Sequence, residues 1–82
     1  MNPEILKIVN EKLEEILEEA VFDSKAEQIF KLHYGIKCTR MEPKSIVKEA
    51  KIPAKRLKME LTRIDNKVFN ILKKHKWIEN EV

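Results

Sequence analysis

The sequence predicts an all-α protein, a small helical bundle of about four helices. Three observations carry this expectation. Glycine occurs once and proline three times in 82 residues, which leaves little turn material for a multi-stranded sheet. The apolar residues are mainly Leu, Ile and Val set among Lys and Glu, a composition that suits helices. Apolar positions recur at helical spacing in long stretches, and no stretch alternates as a strand would. A chain of this length buries about 60–65% of its unfolded surface, enough for one modest core.

The first helix opens at Asn2-Pro3, a cap followed by proline where its missing N–H costs nothing. Leu6, Val9, Leu13, Ile16 and Ala20 follow at 3-4 spacing, and Ile5, Ile8, Leu17 and Val21 widen the stripe. One amphipathic helix is therefore expected to about Val21, with Glu11, Glu14, Glu15, Glu18 and Glu19 on its outer faces. The stripe is wider than a two-stranded seam, which favours packing on the chain's own core over a homodimer through this helix. The organisation expected is an N-terminal helix, 1–22, packed on the core or a partner, and a second unit, 23–82.

Ser24-x-x-Glu27 has the form of a capping box, with Asp23 as a competing cap. The second helix ends at Tyr34-Gly35, where the only glycine suits a left-handed backbone. A loop over 36–42 contains Cys38. Pro43 begins a third helix, capped by Glu42, with Ile46, Val47 and Ala50 facing inward. Lys51-Ile52-Pro53 ends it, because a residue before proline is disfavoured in the α region. The fourth helix runs from Pro53 to about His75 on the inner stripe Leu57, Leu61, Ile64, Val68, Ile71 and Leu72, and Trp77 and Ile78 fold back onto the core. Leu57, Leu61, Ile64 and Val68 are expected against Phe30, Ile46 and Val47.

Charge is unevenly placed. Residues 1–34 carry 4 lysines against 8 acidic residues, a net −4. Residues 35–82 carry 13 basic against 6 acidic residues, a net +7. A basic half on a small domain is the electrostatic footprint of a nucleic-acid binder. A short helix, a tight turn and a longer basic helix together read as a helix-turn-helix in the C-terminal half, the longer helix lying in the major groove. The DNA-facing set is Ala54, Lys55, Lys58 and Met59, which lie away from the inner stripe, with Thr62 and Asn66 continuing that face. Lys44, Arg56 and Arg63 complete the set. Basic side chains neutralise phosphates, and Thr and Asn position the backbone or read base edges.

The segment KLHYGI, followed by EPKSIVKEAKIPAKRLKMELTRIDNKVFNIL, resembles region four of bacterial sigma factors over about residues 24–75. Phe30, Leu32, Tyr34, Gly35 and Ile36 match the helix that ends in a Tyr-Gly-Leu-like turn. Ile46, Glu49 and Ile52 match the short helix and its turn. Lys55-Arg56-Leu57, Leu61-Thr62-Arg63-Ile64 and Lys67-Val68 are similar to the corresponding run in the alternative sigma factors of spore-forming bacteria. The resemblance implies binding to the upstream promoter element and contact with the flap of the RNA polymerase β subunit. Pro53, Ala54, Lys55 and Met59 replace the polar opening residue, Arg, Glu and Gln common in the family. This replacement points either to thymine-methyl contacts from Ala54 and Met59 or to a domain that mainly binds polymerase. Residues 1–22 do not supply the DNA-melting part of a sigma factor, so a stand-alone region-four-like regulator or a fragment is expected.

The expected function is a DNA-binding transcription regulator whose partner is double-stranded DNA, with RNA polymerase as a further candidate. The alternative is an adaptor binding RNA polymerase or a sigma or anti-sigma factor with weak DNA contact. His33, Cys38 and His75 are too scattered for a zinc site, and neither a glycine-rich phosphate loop nor a nucleophile–base pair is present. His33 and His75 read as helix-end side chains, and Cys38 as a small apolar thiol. No enzyme activity, metal or cofactor is expected. No run of about 20 apolar residues and no signal-peptide pattern occurs, and a lone cysteine suits a reducing compartment, so a cytoplasmic location away from membranes is expected.

Overall fold

The computed structural model describes residues 2–78; the last four residues of the expected 23–82 unit lie outside them. Every regular element among the described residues is a helix: α1 (Pro3–Glu11), α2 (Leu13–Ala20), α3 (Ser24–Tyr34), α4 (Pro43–Ala50) and α5 (Ala54–Lys74). The all-α class holds, with five helices rather than about four. The expected N-terminal helix divides at Lys12, whose φ of −106° and ψ of 23° leave the helical region. The Lys12 N–H still bonds Ile8 and its carbonyl still accepts from Ile16, so the break is a local one between two helices that stay joined by these bonds. One turn earlier the Asn10 amide donates to the Leu6 carbonyl at 2.9 Å, a side-chain intrusion of the kind that bends helices.

α5 is the axis of the molecule, packed against α2, α3 and α4, while α1 rests mainly on α2. At 21 residues it is about 30 Å long and spans the domain. Its buried stripe is Leu57, Ile64, Val68, Ile71 and Leu72. Ile16 of α2, Ile29 and Phe30 of α3 and Ile46 of α4 are equally buried and belong to the same core. Each such side chain contributes about 1.5–3 kcal/mol by leaving water. Phe22, Phe30 and Tyr34 continue as a ladder of tilted rings with centroids 5.3 and 5.1 Å apart.

Val9, Ile16 and Ala20 join this core, and Ile5, Leu6, Ile8, Leu13 and Leu17 pack half-buried against it. Val47, Leu61 and Val21 also depart from the inward expectation. Val47 and Leu61 are only half-buried, because they form the walls of an open cleft between α4 and α5. Val21 is 79% exposed. It sits in the left-handed region at φ 51°, ψ 54° where α2 ends, and that turn rotates its side chain away from the stripe.

Helix ends follow local chemistry. Asp23, not Ser24, caps α3, accepting from the Ala26 N–H at 2.8 Å. An ionised carboxylate is the stronger acceptor at the positive end of a helix. Glu27, freed from a capping box, pairs with Lys31 at 2.9 Å. Gly35 ends α3 at φ 70°, and a Cβ there would meet the Arg40 backbone N at 3.1 Å, so both conformation and space call for glycine. Beyond α5, Lys76 turns left-handed at φ 60°, and the Trp77 N–H returns to the Leu72 carbonyl at 3.0 Å. Trp77 and Ile78 pack, half-buried, on the core.

Candidate nucleic-acid interface

Residues 51–53 join α4 to α5 in three steps. Lys51 adopts φ 53°, ψ 53°, and its N–H and that of Ile52 both return to the Val47 carbonyl. Ile52 is buried as the apolar plug of the turn. Pro53 holds φ −60° and launches α5. The Lys25 ammonium of α3 reaches across to the Ala50 carbonyl at 2.6 Å, supplying a cation where the α4 dipole ends negative. The relative placement of α4 and α5 is thereby held from three sides.

The structure leaves all nine sequence-predicted residues exposed. Lys55, Met59, Thr62 and Asn66 follow a 4-3-4 spacing and form one continuous outward ridge on α5, opposite the buried Ile64. Met59, at 69% exposure, is the apolar centre of that ridge. The Thr62 hydroxyl donates to the Lys58 carbonyl at 3.1 Å, so its lone pairs face outward as acceptors. Arg56 flanks the ridge on the side of Asp23 and Lys51. Ala54 and Lys58 flank it on the other side, where they meet Lys44 of α4 across the cleft. Arg63 is set apart from the others. Its guanidinium bonds Glu60 at 2.7 Å, and that pairing raises its pKa further. Its charge is largely answered within the helix.

Helix polarity separates this face from the rest of the molecule. α1, α2 and α3 each carry glutamate in the first turn, whereas α4 and α5 carry no acidic residue there. Asn2 and Asp23 cap α1 and α3 with side-chain oxygens, while neither Glu42 nor Pro53 makes a side-chain cap bond. The N-terminus of α5 therefore keeps its positive end and free N–H groups beside Lys55 and Arg56. At α4, Pro43 has no N–H and Ser45 bonds the Glu42 carbonyl, which leaves the Lys44 N–H. Such ends favour anionic oxygens.

Sequence reasoning passed over Lys48 and Lys51. Lys48 stands one turn after Lys44 on the same face of α4, a 4-residue spacing that would have found it. The cleft that Lys44 and Lys48 border has a volume of ≈ 540 Å³, with walls of Val47, Leu57 and Leu61.

Behind the ridge, the end of α3 grips α5 through Asp65. The Tyr34 hydroxyl donates to Asp65 Oδ1 at 2.7 Å, and His33 Nε2 lies 3.3 Å from the same oxygen, ion-pair range rather than a well-formed hydrogen bond. His33 is buried, not the exposed helix-end side chain expected, and its Nδ1 has no partner among the described residues. Burial disfavours the Asp65 carboxylate, but the contacts from His33 and Tyr34 outweigh it and hold its pKa below the usual value. Burial, reinforced by Asp65, pushes the Tyr34 phenol well above its ordinary range. Cys38 is exposed in the loop rather than packed, and His75 stacks on Trp77 with ring centroids 4.4 Å apart.

Among the described residues no three His, Cys, Asp or Glu side chains converge on a metal-sized site. No helix among them is long and apolar enough to cross a membrane. No protein-family model matches the chain, and neither the curated proteins nor the solved structures offer a match.

Proposed function

We propose that the chain is a cytoplasmic, non-catalytic DNA-binding transcription regulator. In this reading α4, the turn over 51–53 and α5 act as a helix-turn-helix of the sigma region-four kind, with α5 in the major groove. The observation that carries the reading is that α4 and α5 begin without a side-chain cap bond and without an acidic residue in the first turn, beside Lys44, Lys55, Arg56 and Lys58. Phosphate oxygens suit those amides and ammonium groups, and a ridge of Lys55, Met59, Thr62 and Asn66 between them suits base edges. The Met59 thioether and the Ala54 methyl favour thymine methyl groups over guanine edges.

The test is binding to fluorescently labelled duplex DNA fragments at two salt concentrations. Affinity falls steeply with salt, as counterion release requires. Replacing Lys55, Arg56 and Lys58 together by alanine weakens binding and flattens that dependence. A triple variant that binds as well as the parent overturns the assignment of α5. The second reading, an adaptor for RNA polymerase or for a sigma or anti-sigma factor, is favoured by the apolar Pro53, Ala54 and Met59 where hydrogen-bonding readers would stand. Negligible duplex binding at low salt decides for it.

A further inference from the structure

Two surface features are not used up by the proposed duplex contact, although Lys44 and Lys58 on the rim of the first belong to it. One is the apolar cleft between α4 and α5, rimmed by the ammonium groups of Lys44, Lys48 and Lys58. The other is Val21, a β-branched residue held left-handed and 79% exposed at the end of α2. A β-branched side chain is a costly occupant of the left-handed region, and exposure returns nothing for it within one chain. Glu14 and Glu18 stand one turn apart on one outward face of α2, and Val21 follows just past its end, all three exposed. The last turn of α2 contains no basic residue of its own. The acidic helix thus carries an apolar knob, and the basic half carries an apolar cleft with a cationic rim.

We infer that these two surfaces meet between two copies of the chain: Val21 of one copy enters the α4–α5 cleft of the other, and Glu14 and Glu18 face Lys44 and Lys48. The two lysines stand one helical turn apart, as the two glutamates do, so the rows match in register. The cleft walls, Val47, Leu57 and Leu61, offer the knob an apolar seat. Each copy owns one knob and one cleft, and the contact closes into a dimer when both are used about a two-fold axis. The charge imbalance, −4 over residues 1–34 and +7 over 35–82, draws the two ends together. The pair would cover Lys44 and Lys58, which makes self-association and duplex binding compete. The inference goes beyond the proposed function and does not rest on it, since the association is measured without DNA.

The experiment is sedimentation velocity of the full chain from ~10 μM to ~1 mM at low salt, the range in which a contact this small is populated. The weight-average mass rises toward that of a dimer, and about 0.5 M salt returns it to the monomer. Val21→Asp, the pair Lys44→Glu with Lys48→Glu, and the pair Glu14→Lys with Glu18→Lys each remain monomeric at every concentration. Each retains the helical circular dichroism of the parent, because all five positions are exposed. Mixing the two charge-reversed chains restores association, since both knob–cleft contacts then regain opposite charges. A parent chain that stays monomeric at low salt overturns the inference, and leaves the cleft to another partner. So does a dimer that Val21→Asp leaves intact, or a mixture of charge-reversed chains that fails to associate.

Discussion

The Tyr34 hydroxyl and the Asp65 carboxylate meet at 2.7 Å, joining the last turn of α3 to the middle of α5. The same carboxylate holds His33, so one acidic side chain locks two consecutive residues of α3 onto the outward-facing helix. This lock is polar, yet it sits at the edge of the aromatic ladder, where Phe30 packs on the Tyr34 ring. Tyr34→Phe keeps the ring and removes only the donor. It should cost about 0.5–1.5 kcal/mol in urea unfolding, the net worth of one such hydrogen bond. Unchanged stability would mean that water replaces the phenol at Asp65 without loss.

Acid should weaken the same lock. The folded-state pKa of Asp65 lies below its unfolded value, so the folded chain binds fewer protons at this group. Its contribution to stability is present above about pH 4 and is lost as pH falls through the folded value. Melting points of the parent and of Asp65→Asn, taken at neutral pH and near about pH 3, should differ most at neutral pH and converge in acid. Glu19, whose carboxyl the His75 and Lys74 contacts hold low, weakens with acid in both proteins and so does not disturb the comparison. Parallel losses in the two chains would remove Asp65 from the acid response.

Core substitutions along α5 should not cost alike. Ile64 is fully buried, and Ile64→Ala should destabilise by about 2–5 kcal/mol through lost transfer energy and a residual cavity. Leu61, half-buried in the cleft wall, should lose clearly less, because solvent already reaches the space its side chain vacates. Paired thermal melts give the order directly, and an equal cost would show the cleft to be closed in solution.

Lys55 and Arg63 should separate in duplex binding, although both are exposed and basic. Lys55→Ala should lower the salt slope of binding by about one unit, the signature of one lost phosphate contact. Arg63→Ala should change it little, since Glu60 already answers the guanidinium. Equal slopes for the two variants would place Arg63 on phosphate and break the Glu60 pair in the complex.

Lys25→Ala removes the cation from the end of α4. Loss of this charged hydrogen bond should destabilise by about 1–2 kcal/mol. Amide exchange should accelerate first in α4 and at Lys51 and Ile52, ahead of α3. Uniform acceleration across the chain would mean that the contact stabilises the whole domain and not the turn.

What was legible in the sequence was what short-range chemistry decides. Asn2-Pro3, Gly35, Pro43 and Pro53 mark helix ends because caps, left-handed backbone and proline act within a few residues, and the structure has helix ends at each. The basic face of α5 follows from spacing alone. The Asp65 lock and the Lys25 cap were not legible, because they join positions 31 and 25 residues apart and no local pattern announces either. Val21 and Lys12 failed differently. Both sit in a good helical pattern, and backbone geometry at single residues, not hydrophobic spacing, turned one outward and bent the helix at the other.

Trp77 is the only tryptophan in the chain, and it lies just past α5 at a seam with the α1–α2 joint. Its indole stacks on His75, and the Lys12 ammonium stands 5.2 Å from the ring centroid, at the bend between α1 and α2. The protein is thus supplied with a single tryptophan, excitable apart from Tyr34, whose emission registers closure of that seam. Loosening of the N-terminal helices can be followed optically without a label, apart from any event on the distant outward ridge at the start of α5.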